Sequence, residues 1–313
     1  MKMTWKGRHR MFKILLIVLI LLTAVLIAGA YWLAGFTMTG KRQTLDEAMT
    51  WQSAHYDTSF YESLEKKDYL VKGEGDYELH VQFLKNPVPS EKYVILSHGY
   101  TDNRIGDLKY LKVYLDLGFN CIIYDLRGHG LNSPDITTYG ILEAKDLLKL
   151  IEDTRARYPQ LESLGLHGES LGAATTVTCL QYKPEVDFAV ADCGFSDIEN
   201  VLRGAYKSVK APSFLFDLAD LGARLRYRYS LKDMRPVDAL ENNEIPVLFL
   251  HGAADSFILP ENSKRMYERT KGYKELYYLE GAEHAVSVLR QPEAYARYVC
   301  EFLRAIGQIS KEG

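Results

Sequence analysis

Three side chains far apart in this chain are of the types that turn an alcohol into a nucleophile: Ser170, Asp255 and His284. A serine hydroxyl attacks a carbonyl only when a base takes its proton, and the base needs a third group to orient it. Ser170 lies in residues 164–174, LGLHGESLGAA, a G-x-S-x-G match preceded by apolar residues and followed by a run rich in Ala, Thr and Val. That texture predicts a short buried strand turning abruptly into a helix. Ser170 would hold the strained turn, with Gly168 and Gly172 leaving room where strand and helix pass closely. The pentapeptide alone equally describes an ordinary Gly/Ser turn, so its partners decide.

His284 stands in EGAEHA, residues 280–285, a small-residue loop just past the last predicted strand and without apolar periodicity. Asp255 closes LHGAAD, a few residues beyond another buried strand. An isolated Asp there would be an N-cap or an Asx-turn residue. The order Ser…Asp…His, each in the loop after a strand, makes it the orienting carboxylate instead. His251, at the end of the preceding strand, reads as a packed turn residue. The developing oxyanion needs two backbone donors aimed at one point. The amide of Leu171, next to the nucleophile, is one. The amide of Tyr100, in SHGYT after the first long buried strand, is the other.

The elements that must position these groups alternate. Residues 69–71 and 77–83 alternate in polarity around Gly73 and Gly75, as an antiparallel hairpin does. Strands follow at 93–97, 120–125, 163–167, 187–192, 246–250 and 275–279. Helices are predicted at 141–158, 171–182, 260–270 and 293–306. Such β-α alternation implies an α/β fold, a mostly parallel sheet with helices on both faces. Residues 195–237 break the rhythm with helical patches between two strands and read as a small helical cap above the sheet edge. Its Arg203, Lys207, Lys210, Arg224, Arg226 and Arg228 form a basic patch, most simply a solvated helix face.

Residues 14–36 contain no charge and are mostly Leu, Ile, Val and Ala, long enough for a helix to cross a bilayer core of about 30 Å. Five basic residues precede the run, and two follow it before Asp46 and Glu47 offset them. This predicts a single-pass anchor (1–36) with a cytoplasmic N-terminus and everything after residue 36 outside. The competing reading is a signal peptide cut near Ala30, at Ala28-Gly29-Ala30. Residues 37–68 are expected to form a linker and short helix, and 69–313 the globular domain.

Across 313 residues the net charge is −3 and the pI about 6.3, which gives no reason to expect a nucleic-acid partner. Four scattered cysteines without C-x-x-C or His spacing read as buried small hydrophobes. No metal or organic cofactor is implied.

Taken together, HGYTDN (98–103), DLRGHG (125–130), GESLG (168–172), HGAAD (251–255) and EGAEH (280–284) resemble the α/β-hydrolases over residues 69–306. Within them the chain is similar to membrane-anchored bacterial hydrolases related to the catalytic domains of acylaminoacyl-peptidases and prolyl oligopeptidases. The resemblance implies Ser170 as nucleophile, His284 as base then acid, Asp255 as orienting carboxylate, and Tyr100 and Leu171 as oxyanion donors. His129, in a turn that is structural in the family, is not catalytic. The stretch before Tyr69 is too short for the oligopeptidase β-propeller, which counts against size-selective peptide cleavage.

The expected activity is hydrolysis of carboxylic esters or thioesters through an acyl-enzyme, on a small or lipid-like acyl substrate. An exopeptidase acting on short peptides is the alternative, and a non-catalytic binding module on a hydrolase scaffold the rival of another class. No acidic pocket that could grip a peptide amine is legible in the sequence.

Overall fold

Both faces of a central strand are covered when helices flank the sheet, and the chain meets this condition with continuous apolar runs. The computed structural model describes residues 5–310. Its eight strands are β1 (Lys66–Lys72), β2 (Glu78–Leu84), β3 (Lys92–Ser97), β4 (Asn120–Tyr124), β5 (Ser163–Glu169), β6 (Phe188–Asp192), β7 (Val247–Gly252) and β8 (Lys274–Leu279). Apart from Lys92, every residue of β3 to β7 is buried. The strands form one sheet in the order β1-β2-β4-β3-β5-β6-β7-β8. The pairs β1/β2 and β2/β4 are antiparallel and all others parallel. Gly75, at φ 66°, makes the tight turn between β1 and β2.

The helices are α1 (Trp5–Met38), α2 (Leu45–His55), α3 (Ser59–Ser63), α4 (Leu108–Asp116), α5 (Ile141–Arg157), α6 (Leu171–Cys179), α7 (Ile198–Ser208), α8 (Phe214–Tyr227), α9 (Glu261–Arg269), α10 (Ser287–Arg290) and α11 (Pro292–Ala305). α2 starts on a capping box. Thr44 accepts from the Glu47 amide, and the Glu47 carboxylate accepts from the Thr44 amide, a cap worth about 1 kcal/mol. α4 is not among the predicted helices. In LKYLKVYLD the polar Lys109, Lys112 and Asp116 recur at spacings of three and four, and Leu108, Leu111, Val113 and Tyr114 are all buried in the helix. Large side chains such as Tyr114, Phe119, Phe188 and Phe302 fill the core on this side of the sheet, each fully buried and contributing roughly 1.5–3 kcal/mol.

The chain divides into two units: Lys41–Val201 with Met234–Gly313, which holds the whole sheet, and Met1–Gly40 with Leu202–Asp233. In the second unit α1 packs against α8. Gly222 lies so close to the Ala30 carbonyl that a side chain there would collide with it, and Ala30 and Ala34 are fully buried. From Arg8 to Ala28, by contrast, α1 is exposed throughout. Much of the basic patch is internally paired. Asp217 takes Arg203 and Lys232, Asp220 takes Arg224, and Arg226 donates to the Tyr31 carbonyl. Cys121, Cys179 and Cys193 are buried free thiols, and Cys300 is a partly buried one.

Candidate active site

The parallel strands β5 and β7 end at the same sheet edge as β3, and β8 ends beside β7, so the loops that follow them converge. Ser170 terminates β5 and heads α6 with φ 54° and ψ −110°, a conformation strained for a residue with a side chain. Two close approaches impose it. A Cβ on Gly168 would collide with the backbone of Gly172, and one on Gly172 with the carbonyl of Ser97 at the end of β3. The Ser170 amide is tied to the Asp192 carbonyl at 2.9 Å.

His284 Nε2 lies 3.0 Å from Ser170 Oγ, and His284 Nδ1 lies 2.7 Å from Asp255 Oδ2. Asp255 accepts only, so Nδ1 carries the proton and Nε2 faces the serine hydroxyl as an acceptor. Asp255 Oδ1 takes the amides of Phe257 and Ile258, both at 2.9 Å. Burial opposes its ionisation. Hydrogen bonds from His251 and His284 and from the Ile258 amide outweigh that and hold its carboxyl well below the usual range. His251 is therefore more than a packed turn residue. Its Nε2 lies 3.2 Å from Asp255 Oδ2 and 2.8 Å from the Ile258 carbonyl, while its Nδ1 is 2.6 Å from Ser263 Oγ. Donating from Nε2 and accepting at Nδ1, a neutral imidazole satisfies all three.

Tyr100 and Leu171 flank the nucleophile. Gly99 packs against the elbow, where a Cβ would sit 3.7 Å from Ser170 Cβ, and this brings the Tyr100 backbone alongside. The Tyr100 ring is held between the Arg42 guanidinium, 4.6 Å from its centroid, and the stacked ring of Tyr139.

A cleft of about 190 Å³ opens on Ser170 and His284. Its walls include Trp51 and Lys109, which lie outside the motifs, and Asp102 and Glu169, which lie inside two of them without an assigned role. Lys109 is buried 2.5 Å from Glu169 Oε2 and donates to the carbonyl of Ala285 at 2.9 Å. Burial alone would disfavour its charge, but Glu169 keeps the ammonium's pKa above the ordinary value. Behind it Tyr110 bridges two carboxylates, 2.5 Å from Glu169 and 3.0 Å from Asp192, and Tyr295 reaches Asp192 at 3.1 Å. Burial raises Asp102 to about 6 against the pull of the Asn103 amide. The cleft thus carries acidic groups whose place in it the sequence did not disclose. Among the described residues no group of three or more His, Cys, Asp or Glu could hold a metal ion.

A mostly parallel sheet with a serine at a strained strand-to-helix turn, and an acid and a base on loops of the same edge, is the architecture of an α/β-hydrolase. Residues 106–306 match the prolyl oligopeptidase family, and the chain belongs to that family of hydrolases. It is similar to the protein YqkD of Bacillus subtilis (strain 168), 32% identical over 304 residues that span 94% of this chain and 97% of YqkD. It is also similar to the solved esterase Pf2001 of Pyrococcus furiosus, with 25% identity, a TM-score of 0.66, and 80% of this chain and 94% of that one covered. In fold alone it is similar to the acylaminoacyl peptidase of Pyrococcus horikoshii, with 18% identity, a TM-score of 0.64, and 82% of this chain and 45% of that one covered.

Proposed function

We propose that this hydrolase cleaves small carboxylic esters or thioesters by two-step acyl transfer. Ser170 attacks the carbonyl while His284 takes its proton and Asp255 stabilises the imidazolium. The amides of Tyr100 and Leu171 receive the oxyanion. His284 then protonates the leaving group and activates the water that releases the acyl group. The observation that carries this reading is the unbroken hydrogen-bonded line Ser170–His284–Asp255. The cleft of about 190 Å³ falls below the roughly 300–1,000 Å³ typical of ligand pockets, which favours a short acyl chain. The similarity to an esterase supports the substrate class.

A second reading, an exopeptidase, draws support from Asp102 in the cleft wall, a carboxylate that could grip a substrate amine. Comparing p-nitrophenyl esters with aminoacyl anilides separates the two, and robust anilide turnover with poor ester turnover would overturn the preference for esters. Labelling by a fluorophosphonate probe, abolished in Ser170→Ala, is expected of either enzyme. Persistence of labelling in that variant would remove Ser170 as nucleophile, and no labelling of the unmodified protein would favour a non-catalytic binding module.

We further propose that α1 anchors the protein in the membrane with the sheet unit outside. The exposed apolar surface of α1 and the basic residues before it support this. Protease shaving of intact cells tests the sidedness, and a mature N-terminus at Tyr31 would show a cleaved signal instead.

A further inference from the structure

The helix that the cap lays against α1 sits at a revealing height. A bilayer core of about 30 Å takes about 20 helical residues. Lys13 and Lys41 bound the charge-free stretch of this chain, so any such window falls within residues 14–40. Every placement of the window contains Ala30. Centred on the apolar run at Val25, it leaves Ala30 about 7–8 Å beneath the outer boundary at about 1.5 Å per residue. Ala30 is the residue whose carbonyl Gly222 of α8 touches.

α8 runs in the same sense as α1. Leu218 Cδ2 would lie 3.9 Å from a Cβ on Gly29, Gly222 meets Ala30 and Ala34, and Arg226 reaches the Tyr31 carbonyl. The N-terminal end of α8 is therefore the deeper end. Beside this contact stripe α8 leaves Phe214, Leu221 and Leu225 exposed, by 59%, 44% and 39%. These positions recur at seven and four residues and share one helix face. α1 likewise leaves apolar side chains exposed, Trp32 and Phe36 among them, on the side away from Ala30 and Ala34. The acids of α8 are already neutralised, Asp217 by Arg203 and Lys232, and Asp220 by Arg224 and the Ser230 hydroxyl. Arg226 and Arg228, at the shallow end, fall where lipid phosphates lie.

We infer that α8 is a membrane-seated element. Its Leu221/Leu225 face occupies the acyl chains of the outer leaflet, with Phe214 deeper on the same face, and its C-terminal arginines lie in the headgroup layer. The inference rests on the proposal that α1 spans the bilayer. It makes Arg226 and Arg228, at the C-terminal end of α8, lipid-facing instead of part of a solvated helix face, and their partner the bilayer itself.

The test uses the full chain with Cys300→Ser in phosphatidylcholine vesicles, with or without acyl-chain bromines. An environment-sensitive fluorophore is attached at Leu22→Cys, Leu221→Cys, Leu225→Cys or the exposed Glu152→Cys, and fluorophosphonate labelling checks that each variant is folded. Bromolipids are expected to quench positions 221 and 225 to an extent comparable with position 22, and to leave 152 unchanged. Quenching at 22 but not at 221 and 225 would overturn the inference while leaving the anchor standing. No quenching at 22 would remove the anchor and the inference with it. A blue-shifted but unquenched label at 221 would mean that protein, such as a second copy of the chain, covers this face, and would also overturn it.

Discussion

Lys109 ties three parts of the active site together, and its removal should be felt in both stability and rate. Its ammonium is buried between the Glu169 carboxylate, on the residue before the nucleophile, and the Ala285 carbonyl, on the residue after His284. Ala285 itself holds φ 60°, so the loop bearing His284 follows a path it would not choose unaided. Replacing Lys109 by Met leaves a buried carboxylate without its cation, a change that costs about 3–5 kcal/mol. For a domain of this size 1 kcal/mol moves Tm by about 2–4 °C, so the melting temperature should fall by roughly 6–20 °C. The assay is thermal unfolding of the detergent-solubilised full chain, paired with turnover of a short-chain p-nitrophenyl ester. Loosening the His284 loop should lower kcat more than it changes KM. The double variant Lys109→Met/Glu169→Gln should recover about half or more of the lost stability, because Glu169 no longer leaves an unpaired buried carboxylate. The Lys112→Met control, which breaks only an exposed pair with Asp116 on the same helix, should stay within about 0.5 kcal/mol of the unmodified protein. The reasoning fails if Lys109→Met melts within about 2–4 °C of the unmodified protein, the shift of a single kcal/mol. It fails equally if the double variant is no more stable than the single one.

Three further outcomes are expected. Asp255→Asn keeps the shape of the site but reverses the hydrogen bond that fixes the His284 tautomer, so kcat should drop by about 10⁴-fold, with some loss of stability because the buried carboxylate also accepts from His251; a loss of only a few-fold in kcat would show that another group orients the base. Gly172→Ala pushes a methyl into the Ser97 carbonyl and forces α6 away from β3, which should cost about 1–3 kcal/mol or more and reduce kcat, as read by thermal unfolding and ester turnover. Burial, reinforced by Glu169, raises Asp192 to about 6 from an unfolded value of 3.8, so the folded state holds the extra proton between these values. That contribution to stability is present below pH 3.8 and is lost as pH rises through about 6. Buried histidines act in the opposite sense, His98 being lowered to about 4 and His167 to about 3, so the effect is read as a difference. Unfolding free energy measured from pH 4 to 8 should fall less with rising pH in Asp192→Asn than in the unmodified protein, and parallel profiles would refute the assignment.

The legible and illegible parts of this site differ in how far apart in the chain their causes lie. A strand buried on both faces of a parallel sheet must be apolar throughout, so VILS at 94–97, the LGL before GESLG, and VLFL at 247–250 disclose themselves, and the loop after each is then known to lie on one edge. Ser170 and Asp255 occupy such loops, His284 follows the partly exposed edge strand β8, and Gly168 and Gly172 are required by contacts within a few residues or with the adjacent strand. Lys109 had no such signal. It rides on α4, where it reads as one of the polar residues of an amphipathic helix, and its partners are 60 and 176 residues away. Trp51 reaches the cleft from the short helix expected after the anchor, because the Gln43 amide bonds to Thr101 and Asn103 bonds back to Gln43 and Thr44. The acid side chain of Glu169 stood inside the motif from the start, yet its charge could be assigned no role until the fold supplied a cation. A motif specifies the backbone path that chemistry needs. The electrostatic setting of that chemistry is fixed by residues whose only common property is where the sheet brings them, and a double-mutant cycle on Lys109 and Glu169 measures that second kind of information directly.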